Sequence, residues 1–565
     1  MNKRMLLSNL NLLATAPGGV ARLRELILTL AVQGKLVPQD PKDEPASELL
    51  KKIRVEKDRL IAEGKIKRDK PLAEIDDDEK PFLLPAGWEW ERFGVIAGIE
   101  RGGSPRPIES FLTDDPAGLN WIKIGDTEKG GKYITSASQK IKREGLVKTR
   151  MVFPGDFLLT NSMSFGRPYI TQIEGCIHDG WLRISPPSSL NKDFLYVLLS
   201  SRFIRTVFEA AAAGGVVLNL NADKVRTVPI PLPPLAEQSR IVTRVEELMR
   251  LCDALEAKGQ LEATQHAQLV STLLATLTDS ETPAQLADNW HRIATHFDLL
   301  LDRPEAVDAL EQTILQLAVR GLLVPQDPQD EPASVLLKKI RIEKDKRIAV
   351  GKIKRDKPLP PIADDEQPFA LPAGWCWARF PELGEFGRGK SKHRPRNDPA
   401  LFNPSKYPLI QTGEVSRAKG VVKEVHSYYS DLGLAQSRMW PKGTLCITIA
   451  ANIAESAVLG FDSCFPDSVV GFVPEDAMGN VDYFLLFVET ARADLLAFAP
   501  ATAQKNINLE ILSSLLIPVP PLNELTRIVT RVAQLRRLCA DLRQRLAASQ
   551  STQAHLAEAL IQEVV

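Results

Sequence analysis

The sequence predicts a mixed α/β protein of the α+β type, with two globular domains separated by long antiparallel coiled-coil helices and related by an internal tandem repeat. Long blocks of sequence recur at a constant displacement of 287 residues. Each copy ends in a predicted helix whose apolar residues follow heptad spacing. Between the recurring blocks lie short apolar runs broken by Gly, Pro and Asn, followed by helical stretches, a pattern typical of compact α/β domains.

The first long helix is predicted to begin near Leu235. Pro233 and Pro234 keep the preceding chain extended, and Glu237 places a negative charge in the first turn, where the helix dipole favours it. Apolar residues then follow spacings of four, three, four and three, which places them in one stripe, or seam, along the helix. The C-terminal helix has a seam with the same spacing. Cys252 and Cys539 belong to the seams, and we expect the helices to pair through Ile241, Val245, Leu248, Leu255, Ile528, Val532, Leu535 and Leu542.

The recurring blocks define two copies, at about 9–278 and 296–565. The block LAVQGKLVPQDPKDEPASELLKKIRVEKD returns almost unchanged, and so does LPAGWEWERF. A repeat this long indicates two whole domains rather than a solenoid. The predicted segments are a helical region at 1–85, an α/β domain at 86–228, a helix at 229–278, a linker with the repeated helical region at 279–372, a second α/β domain at 373–516, and a C-terminal helix at 517–565.

The two α/β domains diverge strongly although the blocks that frame them do not. This pattern favours one scaffold that carries two different recognition surfaces. Drift after duplication, without any change of function, is the alternative.

Bulk composition limits the classes of function. Lys and Arg total 71 and so do Asp and Glu, so any nucleic-acid surface must be local. No apolar run reaches the roughly 20 residues that a membrane helix needs, and we expect a cytoplasmic protein with no membrane partner. The six cysteines form no C-x-x-C pair, which argues against a zinc site or a disulfide framework.

One phosphate-loop pattern, G-x-x-x-x-G-K-S, is formed by Gly384, Gly389, Lys390 and Ser391. Such a loop binds phosphate only between a strand and a helix, and Pro395 makes a helix there unfavourable. We therefore interpret the segment as a basic loop.

The nearest match to a methyltransferase motif, Ser185 to Ser188, lacks the aromatic residue, so the sequence predicts no enzyme, no resident cofactor, no catalytic residue and no metal site.

Basic residues cluster in the corresponding loops of the two domains. The second loop holds five cations within nine residues, and residues 101–172 of the first domain hold 11 Lys or Arg against 7 Asp or Glu. Arg suits bidentate contact with guanine, and both Lys and Arg bind phosphates. An exposed charged loop without a ligand is the alternative. The candidate DNA-binding residues are Arg101, Arg106, Lys123, Lys132, Arg167, Arg388, Lys390, Lys392, Arg394, Arg396, Gln504 and Lys505.

Several of these motifs together resemble one known family. The junctions PLPPLAEQSRIV and PVPPLNELTRIV, the segment QKNIN at 504–508 and the block GKLVPQDPKDEPAS are similar to those of the specificity subunits of type I restriction-modification systems. The resemblance covers essentially the whole chain. One departure is VVLNLN at 216–221, which replaces TAQKNIN and lacks its Gln and Lys.

The resemblance implies two target recognition domains that each read half of a split double-stranded DNA sequence. It also implies that the paired helices act as a spacer and dock two modification (methyltransferase) subunits, which hold S-adenosylmethionine and methylate adenine. Separate restriction (endonuclease) subunits would use ATP and Mg²⁺. The alternative function is a duplicated coiled-coil scaffold or adaptor that recruits two identical partners without reading DNA.

Overall fold

The computed structural model describes residues 10–64, 71–128, 130–161, 165–212, 220–351, 359–393, 395–450, 452–497 and 507–563. The chain divides into two compact units. The first contains Met1–Glu262 and Gln550–Val565, and the second contains Ala263–Ser549. Both long helices are therefore shared between the units, each beginning in one and ending in the other.

The first unit is built from helices that flank two sheets. Asparagine side chains cap two of these helices: Asn191 accepts hydrogen bonds from the backbone N–H groups of Asp193 and Phe194, and Asn221 accepts one from the N–H of Lys224. The helices are α1 (Leu10–Thr15), α2 (Gly19–Val32), α3 (Ala46–Ala62), α4 (Phe93–Ile96), α5 (Lys192–Ser200), α6 (Arg202–Ala212), α7 (Ala222–Thr227) and the shared α8 (Leu235–Thr278).

Its strands form two five-stranded sheets, β2-β11-β8-β9-β5 and β3-β6-β4-β10-β7, and the short antiparallel pair β1-β12. The strands are β1 (Glu89–Arg92), β2 (Gly98–Arg101), β3 (Leu112–Thr113), β4 (Leu119–Ile122), β5 (Tyr133–Ile134), β6 (Gln139–Ile141), β7 (Arg150–Val152), β8 (Phe157–Thr160), β9 (Pro168–Thr171), β10 (Gly175–Ile177), β11 (Trp181–Ser185) and β12 (Pro229–Leu232).

The second unit has the same kinds of element. Its helices are α9 (Pro283–Thr295), α10 (Phe297–Leu300), α11 (Pro304–Val319), α12 (Ala333–Ala349), α13 (Phe380–Leu383), α14 (Thr412–Arg417), α15 (Asp431–Ala435), α16 (Asp482–Ala497), α17 (Leu509–Ser514) and the shared α18 (Leu522–Gln562). Its strands are β13 (Cys376–Ala378), β14 (Gly384–Arg388), β15 (Tyr407–Leu409), β16 (Val421–Val422), β17 (Ser427–Tyr429), β18 (Met439–Trp440), β19 (Leu445–Thr448), β20 (Ser456–Leu459), β21 (Ser463–Cys464), β22 (Val469–Pro474) and β23 (Ile517–Val519).

The two divergent domains share one topology. The sheet β14-β22-β19-β20-β16 repeats the order β2-β11-β8-β9-β5, and β17-β15-β21-β18 repeats β6-β4-β10-β7. Even the parallel pairs recur, since β5 lies parallel to β9 and β16 lies parallel to β20. The predicted mixed α/β fold, with an internal repeat and two long helices, is confirmed.

The framing blocks pack onto the start of each long helix. In the first unit, Trp88 Nε1 and Gln39 Nε2 donate hydrogen bonds to the buried carboxylate of Glu237, over 3.0 and 3.2 Å. Arg240, one turn further along the helix, forms an ion pair with Asp43 at 2.5 Å. The second unit repeats both arrangements with Trp375, Gln326, Glu524, Arg527 and Asp330.

The apolar seams lie in the cores of the units. Ile241 and Val245 are buried in the first unit, and Ile528 and Val532 are buried in the second. Leu248, Leu535 and Leu542 are partly buried against the same cores, and Leu255 is half-buried. Within the described residues, no helix combines the length and the apolar character that crossing a membrane requires.

Candidate nucleic-acid interface

The first basic loop leaves the end of β2 and runs past the turn between β10 and β11. Arg101 Nε donates a hydrogen bond to the backbone carbonyl of Asp179 over 3.1 Å. The Ser104 hydroxyl donates to the Asp179 carboxylate over 2.7 Å, and Arg106, whose side chain is 80% exposed, lies 3.5 Å from it. The hydrogen bond from Ser104 and the positive charge of Arg101 lower the pKa of Asp179. The two arginines and Ser104 of this loop therefore all contact Asp179.

A cleft of about 720 Å³ lies beside this loop. Arg106, Lys123, the indole of Trp121 and the imidazole of His178 contribute to its walls. Burial lowers the pKa of His178, so the ring is neutral near neutral pH and its Nε2 accepts a hydrogen bond from the Ile124 N–H over 3.1 Å. The cleft thus combines two cations and one carboxylate, that of Glu109, with aromatic walls, and the cations and rings suit nucleic-acid groups.

The second basic loop leaves the end of β14 in the same way. Arg388 donates two hydrogen bonds to the backbone carbonyl of Asp467, from Nε over 2.9 Å and from Nη2 over 2.6 Å. The guanidinium of Arg396 forms an ion pair with the Asp467 carboxylate at 3.0 Å. Lys390 and Lys392 are exposed. Four of the five predicted cations of this loop are therefore brought to one edge of the domain.

The phosphate-loop pattern does not have phosphate-loop geometry. Gly384–Arg388 is the strand β14, and the residues from Gly389 to His393 are irregular rather than helical. A Cβ on Gly389 would lie 2.3 Å from the Phe465 carbonyl, so the backbone is already packed against a neighbouring turn. The helical N-terminus that would hold a phosphate is not formed by these residues.

The remaining predicted residues of the first domain differ in how their charges are placed. Lys123 begins a short turn on the cleft wall. Lys132 forms an ion pair with Asp193 at 2.8 Å and lies over the Tyr196 ring, so its charge serves packing within the domain. Arg167 is half-buried just before β9. Arg394, Gln504 and Lys505 lie outside the described residues, as do positions 216–219.

Sequence reasoning missed the two aspartates. Asp179 and Asp467 stand in short turns between apolar runs, and they are 288 residues apart, whereas the framing blocks are 287 apart. A repeat comparison at fixed displacement therefore does not align them. The two aspartates align only if the comparison of the two copies allows a one-residue insertion within the divergent domains.

Exposed apolar residues on the long helices were also missed. Leu251 is 60% exposed and Leu538, which is 287 residues further on, is 63% exposed. In the second unit, Leu538 lines an apolar groove of about 490 Å³ together with Trp290 and Leu310. Exposed apolar surface of this kind is typical of protein docking sites.

No group of three or more His, Cys, Asp or Glu side chains that could hold a metal ion occurs within the part of the chain that the structure describes. The chemistry that the geometry offers is that of Arg, Lys, hydroxyl and backbone groups, which bind phosphates and base edges.

Comparison with known proteins places the chain in a well-defined group. A family model described as the type I restriction modification DNA specificity domain matches residues 85–265 and 376–549. The chain is 37% identical over 571 residues to the EcoEI specificity subunit of a type I restriction enzyme from Escherichia coli, covering 96% of this chain and 93% of that protein. The chain is 35% identical over 576 residues to the EcoAI specificity subunit of a type I restriction enzyme from Escherichia coli, again covering 96% of this chain and 93% of that protein. The crystal structure of the HsdS subunit from Thermoanaerobacter tengcongensis is 18% identical, with a TM-score of 0.38 over 86% of this chain and 97% of that one.

Proposed function

The chain belongs to the DNA specificity subunits of type I restriction-modification systems, and from this premise we propose how its residues recognise DNA. The domains at 86–228 and 373–516 each read one half of a bipartite target. The observation that carries this proposal is the recurrence of one arrangement in two divergent domains. Arg101 and Arg388 end equivalent strands, and each donates to the backbone carbonyl of an aspartate in the facing turn.

The target is asymmetric because the two readers differ in the side chains that their loops present. The first loop offers Arg101 and Arg106, whereas the second offers Arg388, Lys390, Lys392 and Arg396. Phosphate contacts position a protein on DNA, and contacts with base edges distinguish sequences. Arg106, Lys390 and Lys392 are exposed and suit phosphate contact, while Arg388, which is held by two hydrogen bonds, suits contact with a base edge.

The long helices dock two modification subunits and set the gap between the half-sites. Support comes from the repeated exposure of Leu251 and Leu538 on helices whose seams otherwise lie in the cores. Two equivalent apolar positions fit two copies of the same partner. Restriction subunits join the same complex, and the partners supply S-adenosylmethionine, ATP and Mg²⁺, so this chain contributes recognition rather than catalysis.

A scaffold that recruits partners without reading DNA is not favoured, because the DNA specificity domain matches both divergent domains.

The test is to express the chain with its modification subunits and sequence the methylated adenines of the host genome. We expect methylation confined to one asymmetric sequence made of two fixed parts separated by a gap of fixed length. Purified complex should bind a duplex carrying that sequence more tightly than a scrambled duplex. Methylation without sequence preference, or none above background with both subunits folded and assembled, contradicts the proposal.

A further inference from the structure

In each recognition domain, an aspartate from a neighbouring turn contacts the arginines of the basic loop. In the first domain the backbone carbonyl of Asp179 accepts from Arg101, and its carboxylate accepts from Ser104 and faces Arg106. In the second domain the carbonyl of Asp467 accepts from Arg388, and its carboxylate pairs with Arg396. In both domains, therefore, the backbone carbonyl of the aspartate binds the arginine at the end of the strand, and its carboxylate faces an arginine further along the loop.

The topology explains why the aspartates and the loops meet. Each aspartate lies in the turn where the chain passes from one sheet of the domain to the other, between β10 and β11 or between β21 and β22. The strand that begins after the turn pairs antiparallel with the strand that ends at the basic loop. The end of β2 therefore faces the turn before β11, and the end of β14 faces the turn before β22.

Two glycines keep the loop close to the turn. The Gly102 N–H donates to the Trp181 carbonyl over 2.9 Å, and the Gly389 N–H donates to the Val469 carbonyl over 2.9 Å. A Cβ on Gly102 would lie 2.3 Å from the His178 carbonyl, and one on Gly389 would lie 2.3 Å from the Phe465 carbonyl. Contact between loop and turn is therefore built into the backbone of both domains.

An acidic side chain beside a DNA-binding loop has an electrostatic cost. It repels phosphates and so weakens binding to every DNA sequence. Such a group benefits a DNA-binding domain when it weakens binding to incorrect sequences more than binding to the target, because specificity is a difference of affinities.

We propose that Asp179 and Asp467 are positioning residues of DNA recognition, each of which orients the arginines of its own domain and restrains them from non-specific phosphate contact. The proposal rests on the function proposed above and adds to it the residues that control discrimination. Arg101 and Arg388 are fixed through the aspartate carbonyls. Arg106 and Arg396 exchange the carboxylate for DNA only when the half-site fits.

The test uses the complete complex with its modification subunits and the variants Asp179→Asn and Asp467→Asn. Asn keeps the backbone carbonyl and the size of the side chain but removes the charge. The matched controls are Asp77→Asn and Asp364→Asn, which remove the same charge from exposed, equivalent positions of the framing blocks. The methylated adenines of cells that express each variant are sequenced, and binding to specific and scrambled duplexes is measured across a salt series.

We expect Asp179→Asn to relax the methylated motif in one half-site only, and Asp467→Asn to relax it in the other half-site only. Discrimination at the affected half should fall by roughly tenfold, within the range of one bidentate base contact, while scrambled DNA is bound more tightly. The controls should leave the motif unchanged. Ser104→Ala, which removes a hydrogen bond to the Asp179 carboxylate but no charge, should relax the same half-site as Asp179→Asn to a smaller extent.

A purely structural function predicts something different, namely less methylation at every site with an unrelaxed motif and a lower melting temperature. That result, or motifs identical to wild type in both aspartate variants, overturns the inference. If instead the wild-type complex shows no sequence preference, the proposed function itself fails. The two failures are therefore distinguishable.

Discussion

The indole N–H of Trp88 donates a hydrogen bond to the buried carboxylate of Glu237 over 3.0 Å, across 149 residues of sequence. Trp375 and Glu524 repeat this bond at 3.0 Å, also across 149 residues. Each bond joins the block before a recognition domain to the first turn of the helix that comes after it. The residues on either side of the domain are thus joined at its base, and the same contact recurs in both units.

Replacing Trp88 with Phe removes the donor and leaves a buried carboxylate oxygen with one partner fewer. We expect the base of the first domain to be destabilised by about 1 to 3 kcal/mol, the cost of an unsatisfied buried polar group. Hydrogen exchange measures this directly, because backbone amides of residues 89–92 should exchange roughly 5- to 150-fold faster. The equivalent strand, residues 376–378, is the internal control and should not change. Faster exchange at both strands, or at neither, would contradict the prediction.

Glu237 also makes stability depend on pH. Burial raises the pKa of its carboxyl above the ordinary value of 4.5, and the hydrogen bonds from Trp88 and Gln39 offset only part of this effect. A raised pKa means that the folded state binds the proton more tightly than the unfolded state does. The resulting stabilisation is fully present below pH 4.5 and is lost as the pH rises through the folded-state pKa.

The variant Glu237→Gln cannot ionise, so it should gain stability relative to wild type as the pH rises from 4.5 towards neutral. The measurement is the difference in urea midpoint between variant and wild type over this range. Glu524→Gln, which replaces a carboxyl whose pKa is raised by burial in the same way, should behave alike. A difference that is flat with pH would show that Glu237 is ionised equally easily in both states.

Periodicity and repetition were sufficient to predict the two long helices, the duplicated frame and the α/β nature of the domains. They could not predict the β1-β12 and β13-β23 pairs, because strand pairing across about 140 residues leaves no local pattern. The contacts around the predicted site residues could not be predicted for the same reason. Arg388 and Arg396 were predicted from charge, but Asp467, which both of them contact, lies in a turn more than 70 residues away. Lys132 was chosen as a cation although its charge is paired with Asp193, 61 residues away.

Lysines of the second loop should contribute to affinity without reading sequence. Lys392→Ala should weaken binding to specific and scrambled duplexes alike and lower the slope of log affinity against log salt by about one, because one phosphate contact is lost. Lys339→Ala, on the exposed face of α12 where the lysine pairs with Glu331, is the control. Equal affinity of Lys392→Ala and wild type across the whole salt series would mean that this loop faces solvent.

Exchange of the second domain should change half of the target. The sheet pair β13-β23 aligns Cys376 with Val519, so an exchange of residues 380–516 leaves both of these strands in the frame. With the matching domain of another specificity subunit, we expect one half of the methylated motif to change and the other half and the gap to persist. The reciprocal exchange of 93–228 should change the opposite half. A change in both halves after either exchange would contradict independent readers.

The length of the shared helix should set the gap between half-sites. Gly259 is exposed on α8, and a Cβ added there would meet nothing within 4 Å, so the helix can be extended at this position. Four added residues lengthen a helix by ~6 Å and rotate its downstream part by about 40°, which keeps Val270 and Leu274 near their original face. Because DNA rises ~3.4 Å per base pair, the gap should grow by one or two base pairs while both half-sites stay the same.

Gly259→Ala, which alters the position without lengthening the helix, is the matched control and should keep the original gap. Mapping the methylated adenines measures the gap. An unchanged gap in an active complex that carries the insertion would show that the length of this helix does not set the spacing of the half-sites.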